Sequence, residues 1–235
     1  MTTTDTHPDD TADAEPCGPE SGVSLDATFA ALADRECRDL LWRLAESDDE
    51  TFLVTDLAAR LTDGTESDDA TGNAETRLTA RLHHTVLPKL DDAGLVAYET
   101  DRGLVRSCLD SRYAAMVEGI AGFESADRPV PLDTLFELLA DFRRRTAYLT
   151  LLRHDDLSLP DLADEVAVAE RGEPLSKVDP DDVLRVYLSL YHTHVPKLAD
   201  TGLVAYDQED DYVALTDVGR ALESPTRALC DPSDD

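Results

Sequence analysis

The chain has 235 residues, and its 51 aspartates and glutamates against 21 lysines and arginines give a formal net charge of -30 at pH 7. A surplus of this size excludes an ordinary basic nucleic-acid-binding protein that is attracted to phosphates mainly by its overall charge. The length allows one or two domains of about 100–200 residues each, and a 42% share of hydrophobic residues, grouped in periodic blocks, is enough for a core.

The types of charged residue indicate salt adaptation. Lysine occurs only at positions 89, 177 and 197, and the other cations are arginines. Such an acidic surface is typical of halophiles that accumulate salt, because at about 1 M salt the Debye length falls to about 3 Å and self-repulsion is screened. The chain has no apolar run long enough for a membrane span and no secretion signal. Its four dispersed cysteines lack a C-x-x-C pair, which predicts a reducing cytoplasm and no zinc ribbon.

The chain contains two copies of one unit. The pattern Leu25-Asp26-x-x-Phe29-x-x-Leu32-Ala33-Asp34 returns 107 residues later as Leu132-Asp133-x-x-Phe136-x-x-Leu139-Ala140-Asp141. Residues 84–98 return as 192–206, with eleven of fifteen positions identical. Two copies at so long a period predict tandem domains rather than a solenoid. The predicted divisions are a disordered acidic tail (1–24), domain 1 (25–108), a linker that could hold a helix at 111–123 (109–131), domain 2 (132–216) and an acidic C-terminal tail (217–235).

Each copy predicts the same order of elements. An amphipathic helix (25–46 and 132–153) precedes a short second helix that begins near Asp56 or Asp161, with an acid in its first turn. A polar loop (62–74 and 169–180) leads to a third helix, which Gly94 or Gly202 ends. A strand then enters a hairpin that turns at Gly103 or at Asp210-Asp211. Pro88 and Pro196 lie inside the third helices, where each predicts a fixed kink.

Three helices followed by a hairpin form the order of a winged helix. We therefore predict a mainly α fold with small β-hairpin wings, arranged as two tandem winged helix-turn-helix domains. The strings FAALADRECRDLLWRLAES, VTDLAARL and LHHTVLPKLDDAGLVAYETDRGLV resemble the first helix, the helix-turn-helix start and the recognition helix with wing of ArsR-type regulators. A closer resemblance is to winged-helix domains of uncharacterised haloarchaeal proteins that carry H-T-x-x-P-K-L-x-x-x-G-L-V-x-Y.

The resemblance implies DNA binding, with the third helix in the major groove and the wing at the backbone or minor groove. Arginine suits bidentate contacts with guanine or phosphate, and threonine and histidine can hydrogen-bond base edges or phosphates. The candidate residues of the first copy are Thr76, Arg77, Thr79, Arg81, His83, His84 and Lys89 on the helix, with Arg102 and Arg106 on the wing. Those of the second copy are Arg185, Ser189, His192, His194 and Lys197. The competing interpretation is that Arg77 and Arg81 only pair with the surrounding carboxylates.

The second copy is expected to bind DNA less well than the first. Its wing carries Asp207, Glu209, Asp210 and Asp211, which would repel phosphates. We expect Tyr187 and Tyr191 to face their own core or a partner domain. For the basic run 143–145, contacts with a dimer partner or a DNA backbone and a solvated face paired with nearby acids both stay open.

Nothing in the sequence indicates catalysis or a cofactor, since it contains no nucleophile elbow, phosphate-binding glycine loop or zinc-protease motif. His84 and His192 lack the further ligands of a metal site, so we interpret them as packed or capping residues or as base contacts. We predict a cytoplasmic transcriptional regulator that binds double-stranded DNA, chiefly through domain 1. The tandem is expected to form a pseudo-dimer or, with the linker helix, a true homodimer. The alternative is a protein–protein interaction or dimerisation module without DNA contact.

Overall fold

The structure, a computed structural model, describes residues 24–47, 49–62, 71–109 and 129–230. Residues 1–23 of the predicted amino-terminal tail and the predicted linker helix at 111–123 lie outside these ranges. The first copy comprises α1 (Leu25–Leu32), α2 (Arg35–Ala45), β1 (Thr51–Leu53), α3 (Val54–Thr62), α4 (Thr71–Arg81), a π-helical turn (Leu82–Val86), α5 (Leu87–Asp92), β2 (Val96–Glu99) and β3 (Leu104–Ser107).

The second copy repeats this order and adds two helices. It comprises α6 (Leu132–Leu139), α7 (Phe142–His154), β4 (Asp156–Ser158), α8 (Leu159–Arg171), a 3₁₀ turn (Leu175–Lys177), α9 (Pro180–Ser189), a π-helical turn (Leu190–His194), α10 (Val195–Asp200), β5 (Val204–Asp207), β6 (Tyr212–Leu215), α11 (Asp217–Ala221) and α12 (Glu223–Cys230). The prediction of a mainly α fold with small β-hairpin wings, repeated in tandem, is confirmed.

The long first helix predicted in each copy is two helices. The Asp34 carboxylate accepts a hydrogen bond from the Glu36 amide at 3.0 Å, and the Asp141 carboxylate accepts one from the Arg144 amide at 2.9 Å. An aspartate at this position satisfies a free N–H group at the start of a helix. The repeated Leu-Ala-Asp sequence therefore ends one helix and begins the next.

Each wing is a three-stranded sheet rather than the predicted two-stranded hairpin. The strand orders are β1-β3-β2 and β4-β6-β5, with all pairs antiparallel. The added strand connects the wing to the helix that follows it, α3 or α8. At the start of these helices, the Val54 amide donates to the Gly103 carbonyl at 3.0 Å and the Leu159 amide donates to the Asp211 carbonyl at 2.7 Å. Gly103 and Asp211 both have left-handed backbones, with φ of 61° and 54°.

The predicted third helix is α4 and α5 in the first copy and α9 and α10 in the second, and we keep the name third helix for it. In each copy, a π-helical turn joins the two parts just before the proline. The Leu87 amide donates to the Leu82 carbonyl, and the Val195 amide donates to the Leu190 carbonyl, each five residues back. Proline has no N–H and clashes with the carbonyl four residues earlier, so a wider turn relieves the strain. The distortion predicted from Pro88 and Pro196 therefore takes the form of a π-helical turn, a feature often found at functional sites.

The C-terminal residues 217–230 do not form the predicted acidic tail. Leu222, Thr226 and Leu229 of this segment are buried. The Tyr148 hydroxyl donates to the Gly219 carbonyl at 2.7 Å. A Cβ atom at Gly219 would lie 2.3 Å from the Leu203 carbonyl oxygen, so only glycine permits this close packing. Residues 217–230 carry two acids and two arginines, so the acidity of the predicted tail comes from residues 231–235.

The cysteines differ in state. Cys37 is buried and Cys230 is half-buried, and neither forms a disulfide. Burial raises the pKa of the Cys37 thiol to about 12, which keeps it protonated and inert. Cys108 is disulfide-bonded, which the dispersed spacing of the four cysteines did not predict, because spacing does not show which thiols meet in space.

The two copies pack against each other through α1 and α6. The Phe29 and Phe136 rings stack across this boundary, with centroids 5.9 Å apart and planes at 25°. Arg38 donates to the Asp133 carboxylate at 2.6 Å, and Arg145 donates to the Asp26 carboxylate at 2.7 Å. The four charged residues are thus two repeat-equivalent residues from each copy, paired reciprocally. Such self-complementarity is the mark of a two-fold interface.

Candidate nucleic-acid interface

The third helix of the first copy has one buried face and one exposed face. Leu82, Val86 and Leu90 are almost fully buried in the core. Between Thr76 and Thr85, the exposed residues are Thr76, Arg77, Ala80, Arg81, His84 and Thr85. We call this set the outer face of the first copy. It holds four of the seven predicted helix residues.

The charges on this face are only partly paired. The Arg81 guanidinium lies 2.8 Å from the Glu36 carboxylate, and the Lys89 amine, half-buried beside the outer face, lies 3.9 Å from the Asp34 carboxylate. Within the described ranges, no carboxylate is within ion-pair distance of Arg77. Among the described residues, pairing with nearby acids therefore applies to Arg81 but not to Arg77. An exposed pair such as Arg81–Glu36 contributes only about 0–1 kcal/mol.

Two predicted helix residues turn away from the outer face. The Thr79 hydroxyl donates to the Glu75 carbonyl of its own helix at 2.8 Å. His83 Nδ1 hydrogen-bonds the Tyr98 hydroxyl on β2, and a Cβ atom on Gly103 would lie 3.6 Å from the His83 ring. His83 therefore fixes the helix to the wing, whereas its neighbour His84 faces solvent.

The wing residues of the first copy lie at different depths. Arg102 is exposed in the hairpin turn, where its guanidinium lies 3.4 Å from the Glu99 carboxylate. Arg106 is half-buried on the central strand β3, in register with Thr51 and Ala97. Of these two candidates, Arg102 is the one placed at the wing tip.

The second copy presents a different surface at the equivalent positions. Arg185 is exposed and pairs with Asp182, and Ser189 accepts a hydrogen bond from Arg143 at 3.1 Å. His192 and Lys197 are exposed. His194 is buried and 7% exposed, so its prediction as a DNA-contacting residue is wrong. Its Nδ1 atom lies 3.4 Å from the Asp141 carboxylate, and burial lowers the pKa of this imidazole.

The acids of the second wing are partly used to build the turn. The Asp211 carboxylate accepts hydrogen bonds from the Tyr187 hydroxyl at 2.6 Å and from the Tyr206 hydroxyl at 3.1 Å. Asp207 accepts from the backbone amides of Glu209 and Asp210. Burial and the bond to Asp211 raise the pKa of Tyr206. Tyr187 therefore faces its own wing, and Glu209 and Asp210 are left at the hairpin tip.

The three arginines 143–145 point in three directions. Arg143 makes two hydrogen bonds to the Glu170 carboxylate, at 2.6 and 2.8 Å, which lower the pKa of that acid. Arg144 donates to the Leu138 carbonyl at the end of α6 at 2.7 Å. Arg145 joins the interface with the first copy. The expectation of a solvated face paired with nearby acids is wrong, because Arg144 and Arg145 are buried and Arg143 pairs with the distant Glu170. Contacts of this run with a dimer partner or a DNA backbone stay a prediction.

Sequence reasoning predicted a pseudo-dimer but missed the residues that join the copies, although a signal was present. Asp26 and Arg38 are separated by twelve residues, and Asp133 and Arg145 repeat the same two residue types at the same separation. In the described parts of the chain, no group of three or more His, Cys, Asp and Glu could hold a metal ion. No helix in those parts is long and apolar enough to cross a bilayer.

The profile of one protein family, described as "Domain of unknown function (DUF7344)", matches residues 29–106 and 136–214. The chain belongs to this family. The two matched ranges correspond to the two copies, so the chain is a tandem of DUF7344 domains. No curated protein and no solved structure matches it.

The two DUF7344 domains share one exposed feature and differ around it. The π-helical turns present His84-Thr85 and His192-Thr193 to solvent at equivalent positions. One and two turns before this pair, the second domain has Leu188 and Leu184, 44% and 53% exposed, where the first domain has Ala80 and Thr76. The outer face of the second copy, defined as Leu184, Arg185, Leu188, His192 and Thr193, is therefore more apolar than that of the first.

Proposed function

We propose that this chain is a DNA-binding transcriptional regulator from the cytoplasm of a halophilic archaeon, and that its first DUF7344 domain is the main DNA reader. The observation that supports this most directly is the outer face of the first copy. There, Arg77 and Arg81 project from α4 and His84 projects from the π-helical turn that follows it, in a helical unit with a β wing. In a winged helix, the third helix enters the major groove.

The net charge of the domain does not oppose this proposal at high salt. Residues 25–108 carry 18 acidic and 9 basic side chains, which would repel DNA in dilute buffer. In molar salt, the Debye length of about 3 Å screens carboxylates that lie farther away. Short hydrogen bonds from arginine to guanine or phosphate persist at contact distance. The local residues of the outer face then decide binding.

The resemblance to ArsR-type and haloarchaeal winged-helix proteins supports the same assignment. The arginine-rich, lysine-poor acidic composition supports a halophilic source. A winged helix also serves in some proteins as an interaction module. A second candidate function is therefore binding of another protein through the outer face of the second copy, which Leu184 and Leu188 favour because both are exposed apolar side chains one helical turn apart.

Genome-wide occupancy of the tagged protein, measured in native cells at molar KCl, tests the proposal. We expect enrichment at discrete promoters and sequence-specific binding of the enriched fragments in vitro. The double variant Arg77→Ala/Arg81→Ala should weaken that binding by at least about tenfold, since a good bidentate contact contributes about 1–3 kcal/mol.

The matched control is Arg220→Ala/Arg227→Ala, which removes the same two charges from exposed ion pairs on the C-terminal helices. This control should bind like the parent protein. Absence of enrichment at every promoter would refute the proposed function. If both double variants lost affinity equally, the effect would come from overall charge and not from the outer face.

A further inference from the structure

We infer that a single chain reads both halves of an inverted-repeat DNA site, with its two DUF7344 domains acting as the two subunits of a dimer. This inference rests on the proposed function and adds the symmetry of the site and the number of chains bound to it. The evidence for it is the contact between the two copies, in addition to their outer faces.

The direction of the contacts excludes a head-to-tail arrangement of the copies. In a head-to-tail pair, the surface that one copy offers differs from the surface that the other offers. Here Arg38 of the first copy reaches Asp133, and its equivalent Arg145 reaches Asp26, the equivalent of Asp133. The same surface is therefore used on both sides, as in a two-fold dimer.

The contact is also buried enough to hold the copies in a fixed relation. The side chains of Arg38 and Arg145 are 6% and 7% exposed. Each arginine also donates to a carbonyl of its own copy, at Leu32 and Leu139. Phe29 is fully buried at the same boundary. A desolvated centre with aromatic and arginine anchors is typical of stable protein interfaces and unlike two domains that move freely on a linker.

A two-fold arrangement places equivalent outer-face residues in opposite orientations on a duplex. The exposed pair His84-Thr85 is related to His192-Thr193 by the same operation that relates Arg38 to Arg145. Dimeric helix-turn-helix proteins with this symmetry bind inverted half-sites one DNA turn, about 10 base pairs, or a multiple of it apart. A translation between the copies would instead require direct repeats.

The two halves of the site are unequal, and one chain is sufficient. Leu184, Leu188 and Ser189 occupy the positions of Thr76, Ala80 and Arg81, so the two outer faces offer different contacts. The inverted repeat is therefore imperfect, with the half under the first copy contributing more affinity. Because α1 and α6 already cover each other, a second chain has no free copy of this dimer surface.

The test begins with selection of duplexes from a random library by the full chain at molar KCl. The selected duplexes should contain two inverted, unequal half-sites, and sedimentation should show one chain per duplex. Inserting about five base pairs between the half-sites turns them to opposite sides of the duplex, whereas inserting about ten restores their alignment. We expect the first insertion to lower affinity at least about tenfold and the second to lower it less.

A chain variant provides a second readout. Asp26→Asn/Asp133→Asn removes the negative charge of both arginine partners while keeping their shape, and it should reduce the difference in affinity between the two spacings. If the selected sites hold a single half-site or direct repeats, if two chains bind, or if spacing has no effect, the inference is overturned while the proposed function stands. If no sequence is selected at all, the proposed function fails as well.

Discussion

Arg38 of the first DUF7344 domain donates to the Asp133 carboxylate of the second at 2.6 Å, and the same guanidinium donates to the Leu32 carbonyl at 2.7 Å. One side chain thus closes the end of α1 and joins the two copies. Because the Arg38 side chain is only 6% exposed, water cannot easily replace these hydrogen bonds. The interface therefore depends on polar contacts as well as on ring stacking.

Arg38→Ala should lower the free energy of unfolding by about 1–3 kcal/mol, since it leaves a buried carbonyl without its donor. Urea unfolding in molar KCl measures this loss. The control Arg35→Ala removes an equal charge from an exposed pair with Asp39 and should change stability by less than about 0.5 kcal/mol. Equal losses in the two variants would show that Arg38 acts only through its charge.

The stacked rings of Phe29 and Phe136 should be energetically coupled. Each single change to alanine should cost about 3–5 kcal/mol, as expected for a buried phenylalanine. The double variant should cost less than the sum by about 0.5–1.5 kcal/mol, because each single change already removes the ring contact. A cycle of Phe29→Ala with Leu229→Ala in α12 is the comparison, and it should be additive. Additivity in both cycles would mean that the rings do not support each other.

The repeat made much of the fold predictable, because amphipathic helices and glycine stops leave periodic signals in the sequence. The strands β1 and β4 were missed, since three residues are too few for an alternating pattern to be recognised. The helix break at Asp34 was missed because apolar spacing continues across it. The break is caused by the helix cap at Asp34, a hydrogen bond that leaves no hydrophobic pattern in the sequence.

The sequence predicts which residues lie on the candidate helix and wing but not the directions in which their side chains point. A period of 3.6 residues cannot tell His83 from His84 where a π-helical turn shifts the register. The structure turns His83 to Tyr98 and His84 to solvent. The directions of Arg143 and Arg145 depend on Glu170 and Asp26, which are far away in sequence. Only the folded chain brings such partners together.

Stability should fall as the pH drops below about 6.5 because of His194. Burial lowers the pKa of this imidazole below its ordinary value, against an opposing effect of Asp141. The unfolded chain therefore binds a proton at a pH where the folded chain does not, and the free energy of unfolding decreases by up to about 1.4 kcal/mol per pH unit in that range. Unfolding curves between pH 7.5 and 5 measure this slope, above the range where most carboxylates titrate.

Replacement of His194 by the residue of the first copy isolates this effect. His194→Val reproduces Val86 and should flatten the slope between pH 6.5 and 5. His192→Gln changes an exposed histidine two residues away and should leave the slope as it is. A slope that survives in His194→Val would assign the pH dependence to other groups.

In the proposed DNA complex, Glu36 would compete with DNA for Arg81. Its carboxylate lies 2.8 Å from the Arg81 guanidinium, with the two side chains 39% and 58% exposed. Glu36→Gln should therefore raise the affinity for the selected duplex by up to about fivefold, which corresponds to the roughly 0.2–1 kcal/mol that an exposed ion pair contributes. Fluorescence anisotropy with a labelled duplex at molar KCl measures the change.

Asp39→Asn is the control for this experiment, because it removes one negative charge from the same helix, where Asp39 pairs with Arg35 instead. A larger gain for Glu36→Gln than for Asp39→Asn indicates that release of Arg81 matters and not the change in net charge. The gain should also vanish when Arg81→Ala is combined with Glu36→Gln, since no guanidinium is then released. If the gain persisted without Arg81, that residue would have no part in DNA binding.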